Sequence, residues 1–128
     1  MKFSVEAQNN SVPQFVMCIL HSVTNAHILH LQTRSFSEHS ALGSFYSEIG
    51  DLIDSFVESY QGKYGIITNY LGTYNLPASP ISYLEYLKSE TETLRRKNDF
   101  PADSELQNIV DEIATLINGT LYKLRFLK

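Results

Sequence analysis

The chain holds a single cysteine, Cys18, so no internal disulfide can form. It also lacks a cysteine pair for zinc, a glycine-rich phosphate loop, and a serine set on a strand-to-helix elbow. Each absence removes a class of chemistry. The opening MKFSVEAQNN has no long apolar core of the kind that marks a signal peptide, and the most apolar run, FVMCIL, is far too short to cross a bilayer. A cytoplasmic protein without membrane contact is the expectation. Positive charge is scarce as well: ten Lys and Arg stand against fourteen Asp and Glu, for a net charge of -4. The basic residues are scattered apart from Arg95, Arg96, Lys97 and the tail YKLRFLK, so there is no field to grip a phosphate backbone. Nucleic acid is not an expected partner.

What is present suits one compact helical domain spanning residues 1–128. At 128 residues, 43% of them hydrophobic, the chain can bury about two-thirds of its unfolded surface. From about Val12 to Gln32, Val16, Ile19, Leu20, Val23 and Ala26 recur at spacings of three and four, with Pro13 suited to a first turn. A second helix is predicted from about Glu38 to Tyr60 on the stripe Leu42, Phe45, Ile49, Leu52, Ile53, Phe56, ending at QGKYG. The stretch IITNYLGTYNLPASP has little period and reads as a linker crossing the domain. Ser79 and Pro80 then open a third helix over ISYLEYLKSETETLRRK, with a weaker stripe of Leu84, Leu87 and Leu94. After NDFP, Leu106, Ile109, Val110, Ile113, Leu116, Ile117, Leu121 and Leu124 keep close 3.6-residue register in a fourth. Two short connections and one long one predict an all-α four-helix bundle in the ferritin-like arrangement, with one crossover between residues 62 and 79.

The four histidines all fall between His21 and His39. His27 and His30, one turn apart, continue the apolar stripe of the first helix, where an imidazole needs a partner. The second helix carries Asp51, Asp54 and Glu58 along one side, and the spacing of Asp54 and Glu58 lets two carboxylates share one cation. His39 lies fifteen residues before Asp54, about 22 Å along a helix axis, so one chain cannot bring the two to one ion. Two copies of that helix packed antiparallel across a two-fold axis can.

The segment AHILHLQTRSFSEH followed by DSFVE resembles the signature of the Dps mini-ferritins, and the tone of the segment is similar to short ferritin-like proteins of bacteriophages. The resemblance covers roughly residues 15–62. It implies a ferroxidase site across a dimer interface, two histidines from one subunit and two carboxylates from the other. Matched without a gap, the ligands are His27, His39, Asp54 and Glu58; with three residues deleted from the loop, His30 takes the place of His27. The implied cofactor is iron, mononuclear or di-iron, with zinc and manganese as competitors for such a donor set. The implied partner is a second copy of the chain, in two-fold dimers that build a larger oligomer. The chain departs from that family in being shorter, in having Leu31 or Ile28 where an aromatic commonly follows the first histidine, and in lacking a Lys-rich tail.

Two other patterns stand beside this one. Arg34 and His39 fit the loose Arg-x4-His spacing of the helical HEPN ribonucleases. The tyrosines Tyr64, Tyr70, Tyr74, Tyr83 and Tyr86 suit a non-enzymatic helical oligomer that binds a protein or small molecule, since a tyrosine ring buries area and offers a hydroxyl.

Overall fold

A computed structural model describes residues 10–70, 72 and 78–128, and among these every regular element is a helix. The four are α1 (Ser11–Gln32), α2 (Phe36–Tyr64), α3 (Pro80–Leu94) and α4 (Ser104–Phe126). Helix α1 packs on α2 and α3, and α4 packs on α2 and α3, so α1 and α4 face each other diagonally across the core. Polar contacts fix the directions. Near the end of α1, Asn25 donates to the Tyr83 hydroxyl at the start of α3 (3.0 Å), while Lys63 and Tyr64 at the end of α2 both reach Asp103, just before α4. The order is therefore up, down, down, up, and the link of residues 65–79 has its two ends at opposite ends of the bundle. Fifteen residues can reach about 50 Å, well over the roughly 22 Å length of α3. The all-α bundle with one long crossover is thus observed; Tyr74, one of the tyrosines noted in the sequence, lies outside the described residues.

The core follows the helical period with two departures. In α4, Leu106, Val110, Ile113, Ile117, Leu121 and Leu124 are all buried, while Ile109 and Leu116 flank them half-buried. In α1 the buried line is Phe15, Val16, Ile19, Ser22, Ala26 and Leu29, and Leu20, expected inside, is 41% exposed. Ser22 and Asn25 take core positions because each has an internal partner, Ser22 donating to the Ile19 carbonyl (2.6 Å) and Asn25 to Tyr83. The other departure is Phe100, from the α3–α4 link, whose ring lies 5.5 Å from Phe15 and 5.8 Å from Phe56. With Phe15 and Phe56 5.3 Å apart, the three rings close one end of the core.

The helix ends are set by local chemistry. Asp99 receives the backbone N–H of Asn10 (3.0 Å) and Ser11 (3.3 Å), so a carboxylate from another part of the chain caps α1. Burial works upward on the Asp99 carboxyl, but hydrogen bonds from Ser11 and Asn10 outweigh it and hold it below the usual carboxylate range. Helix α2 starts two residues before its predicted start and runs four beyond its predicted end. Ser35 is its N-cap, accepting from the Glu38 N–H at 3.3 Å, and Gly65, at φ +100°, ends it in a conformation open to glycine. Helix α3 stops at Leu94, three residues short of the predicted span. Cys18 packs against the core, and burial first, with Glu90 second, pushes its thiol up to about 12, which leaves it unreactive.

Candidate functional site: the histidine corner

Three of the sequence-predicted site residues meet where α1 turns into α2. His30, in the last turn of α1, and His39, in the first turn of α2, stack face to face, with ring centroids 3.6 Å apart and planes 19° from parallel. Each ring also bonds the other residue's backbone: His30 Nδ1 lies 2.6 Å from the His39 carbonyl oxygen, and His39 Nδ1 lies 2.9 Å from that of His30. A carbonyl only accepts, so both Nδ1 atoms carry a proton and Nε2 is the ring nitrogen left over on each. The bonds matter locally because the last carbonyls of a helix have no partner within it. Here the Leu29 carbonyl is taken by the Thr33 N–H (3.0 Å) and the His30 carbonyl by His39.

The surroundings hold the pair in place. His27 lies flat on Tyr46, 4.2 Å between centroids and 15° between planes, and Tyr46 meets His30 edge-on at 5.3 Å. On α2, a Cβ at Gly43 would come within 3.1 and 3.2 Å of the His30 ring, so the glycine leaves room for the imidazole. Thr33 donates to the Glu38 carboxylate at 2.6 Å, tying the link to the first turn of α2. The pattern Ser35-Phe36-Ser37-Glu38 is a capping-box sequence, in which Glu38 turns to Thr33 rather than back to the cap. Arg34 sits exposed in the link between helices and not within one.

The two carboxylates lie elsewhere. Asp54 and Glu58 are exposed on α2, with Asp54 about 22 Å along the axis from His39. Asp51 lines a groove against α4. Among the described residues no group of three or more His, Cys, Asp and Glu is placed to hold a metal ion within one chain. The corner thus brings His27, His30 and His39 together and leaves Asp54 and Glu58 apart. Tyr46 and Gly43 were missed in the sequence; their signal was a position one and two turns along α2 from His39, on the side facing α1.

Fold and corner together define a small all-α bundle whose histidines pair across a tight helix–helix turn. The chain belongs to a family of unknown function, DUF5856, whose profile matches residues 30–124 and so takes in His30, His39, Asp54 and Glu58 but not His27. It is similar to an uncharacterized 14.6 kDa protein from the mobD-ri intergenic region of Enterobacteria phage T4, with 25% identity over 132 residues covering 99% of this chain and 97% of that protein. No solved structure matches it. The matching family is one of unknown function, and no ferritin-like family is shown for the chain. Of the described helices, α1 is long and apolar enough to cross a membrane by length and composition, at a mean hydropathy of 1.2; half of that stretch is buried in the bundle.

Proposed function

We propose that this chain is a non-enzymatic helical module that works as a homo-oligomer and binds a protein or small-molecule partner through its helical faces, in the cytoplasm of its host. One observation carries this reading. His30 and His39 spend their Nδ1 atoms on each other's backbone and their ring faces on each other, while His27 covers Tyr46, so the histidines serve the α1–α2 turn. Exposed aromatic residues supply contact area: Phe36 is 84% exposed and Phe126 68%. The phage relative accords with a phage-encoded chain of this kind.

A second reading has its own support. A histidine that ligates a metal commonly donates its other ring N–H to a carbonyl, which fixes the ring and presents Nε2. His30 and His39 both meet that condition. If α2 packs antiparallel on α2 of a second copy, His39 of one chain approaches Asp54 and Glu58 of the other, and His27 or His30 completes a donor set that fits iron. When bound there, iron would supply ferrous oxidation. The chain's own residues would hold the ion and orient the imidazoles.

One experiment separates the two. Purified protein is stripped with chelator, re-exposed to ferrous iron, analysed for metal, and followed for ferric absorbance under oxygen or peroxide. The binding-module reading expects metal near zero and no change of oxidation rate in His39→Ala or Glu58→Ala. Stoichiometric iron, with oxidation lost equally in both variants, would overturn it in favour of the shared site. Within that outcome, His27→Ala and His30→Ala identify the remaining ligand by which of them matches the loss.

A further inference from the structure

We propose that the outer face of α4 is a two-fold self-association surface, in which the acidic groove between α2 and α4 receives the aromatic, basic end of α4 from a second copy. The inference rests on the chain being an oligomer, but not on the α2 seam described above.

The face is a continuous stripe. Asn108, Glu112, Thr115, Gly119, Tyr122 and Phe126 follow one another at spacings of four, three, four, three and four, so they share one side of α4, and all six are exposed. The stripe is graded in size and in charge. Along its middle runs a groove of about 630 Å³ with Leu52 and Leu116 in its lining, edged by Glu48, Asp51, Asp111 and Glu112 and reaching Lys123 at its C-terminal end. Toward its C-terminal end Tyr122 and Phe126, 56% and 68% exposed with ring centroids 5.9 Å apart, form a two-ring ridge flanked by Lys123, Arg125 and Lys128. Gly119 lines the groove just before the ridge begins.

This grading is self-complementary when the helix is reversed. Two α4 helices crossing antiparallel at Gly119 place Tyr122 over the partner's Thr115 and bring Lys123 and Arg125 toward the partner's Glu112, with the same contacts repeated by symmetry. Charge supports the match. Asp111 is already paired with Arg95 and Arg125 with Glu85, but Glu48, Asp51, Glu112, Lys123 and Lys128 form no ion pair with another described residue. Gly119 is compatible with the match. Glycine within a helix is unfavourable relative to alanine, and here no positive φ requires it and a Cβ would meet nothing within 4 Å. Gly50 and Gly62 on α2 are equally open, so what sets Gly119 apart is its place at the centre of the exposed stripe, where the missing side chain lets a second helix cross at close range.

The test is the mass in solution of the full chain from 10 to 200 µM, by sedimentation or light scattering. The expected result is a dimer that weakens at 0.5 M salt as its charge pairs are screened. Gly119→Leu fits the free chain but fills the crossing point, so it should raise the dimer Kd at least tenfold while helicity and Tm are kept. Glu112→Lys and Lys123→Glu should each weaken the dimer, and the double variant should restore it. A wild-type monomer at 200 µM would overturn both this inference and the oligomer reading. A dimer indifferent to Gly119→Leu and to both charge reversals, yet broken by Asp54→Arg, would move the contact to α2, overturning this inference and leaving the oligomer reading in place.

Discussion

The two ends of the bundle are closed by different forces. At the α1–α2 corner the closure is made by rings and backbone: two stacked imidazoles, two N–H to carbonyl bonds, and a histidine lying on a tyrosine. At the opposite end the closure is ionic over an aromatic plug, with Asp99 on the first N–H groups of α1, Asp103 shared by Lys63 and Tyr64, and the rings of Phe15, Phe56 and Phe100 beneath. Surface ion pairs contribute little and are screened by salt, so the plug carries most of the stability at the ionic end. Directional bonds to orphan helix carbonyls do comparable service at the corner, where large apolar side chains are exposed.

The largest break in this comparison should come from the plug. Phe100→Ala removes a ring that touches both Phe15 and Phe56, and should lose about 3–5 kcal/mol in urea unfolding. Next comes the corner. His39→Ala takes the N–H from the His30 carbonyl and the stacked ring from the His30 imidazole, while the bond from His30 Nδ1 to the backbone carbonyl of residue 39 survives, and about 1–3 kcal/mol should be lost by the same measurement.

The glycines sharpen the contrast. Gly43→Ala should destabilise by about 1 kcal/mol, because the clamped His30 ring cannot yield to a methyl at 3.1 Å. Gly50→Ala on the same helix meets nothing within 4 Å and should stabilise by about 0.5–1 kcal/mol. Equal effects at the two sites would show that the corner is looser than its geometry implies.

The smallest effect concerns acid. The Asp99 carboxyl is held below its ordinary range in the folded chain, so its contribution is present above the unfolded value, about 3.9, and is lost as pH falls through the folded one. Asp99→Asn should flatten that part of the acid-unfolding curve below about pH 4 and cost under about 1 kcal/mol at neutral pH. His39→Ala should leave the same acid limb unchanged.

Much of the bundle was legible because it depends on period and length. The α4 stripe reads directly off the sequence, and a link of fifteen residues is long enough to travel the length of the bundle. What misled the eye in α1 was polarity: counting only apolar residues passed over Ser22 and Asn25, which occupy the core through internal hydrogen bonds, and put Leu20 there instead. The true start of α2 is masked by Phe36, an apolar residue outside the stripe, although Ser35 and Glu38 spell a cap. At the candidate site, the crowding of histidines was visible in one dimension. Their pairing across the turn was not, since it depends on Gly43 and Tyr46, whose nearness to His30 appears only once α1 and α2 are side by side. The distance from His39 to Asp54 follows from helix rise alone, so the separation of those two within one chain was foreseeable.

The three-residue link between α1 and α2 also bears on the order in which the chain assembles. His30 and His39 are nine residues apart, so bringing them together closes a very short loop, whereas docking α3 beside α1 means closing the crossover and all of α2 as well. Loop-closure entropy rises with the length enclosed, and local contacts form fastest. The α1–α2 hairpin is therefore expected to appear first and to serve as the template onto which α3 and α4 later settle. In a stopped-flow experiment, His39→Ala should then slow folding more than it speeds unfolding, and Phe100→Ala the reverse.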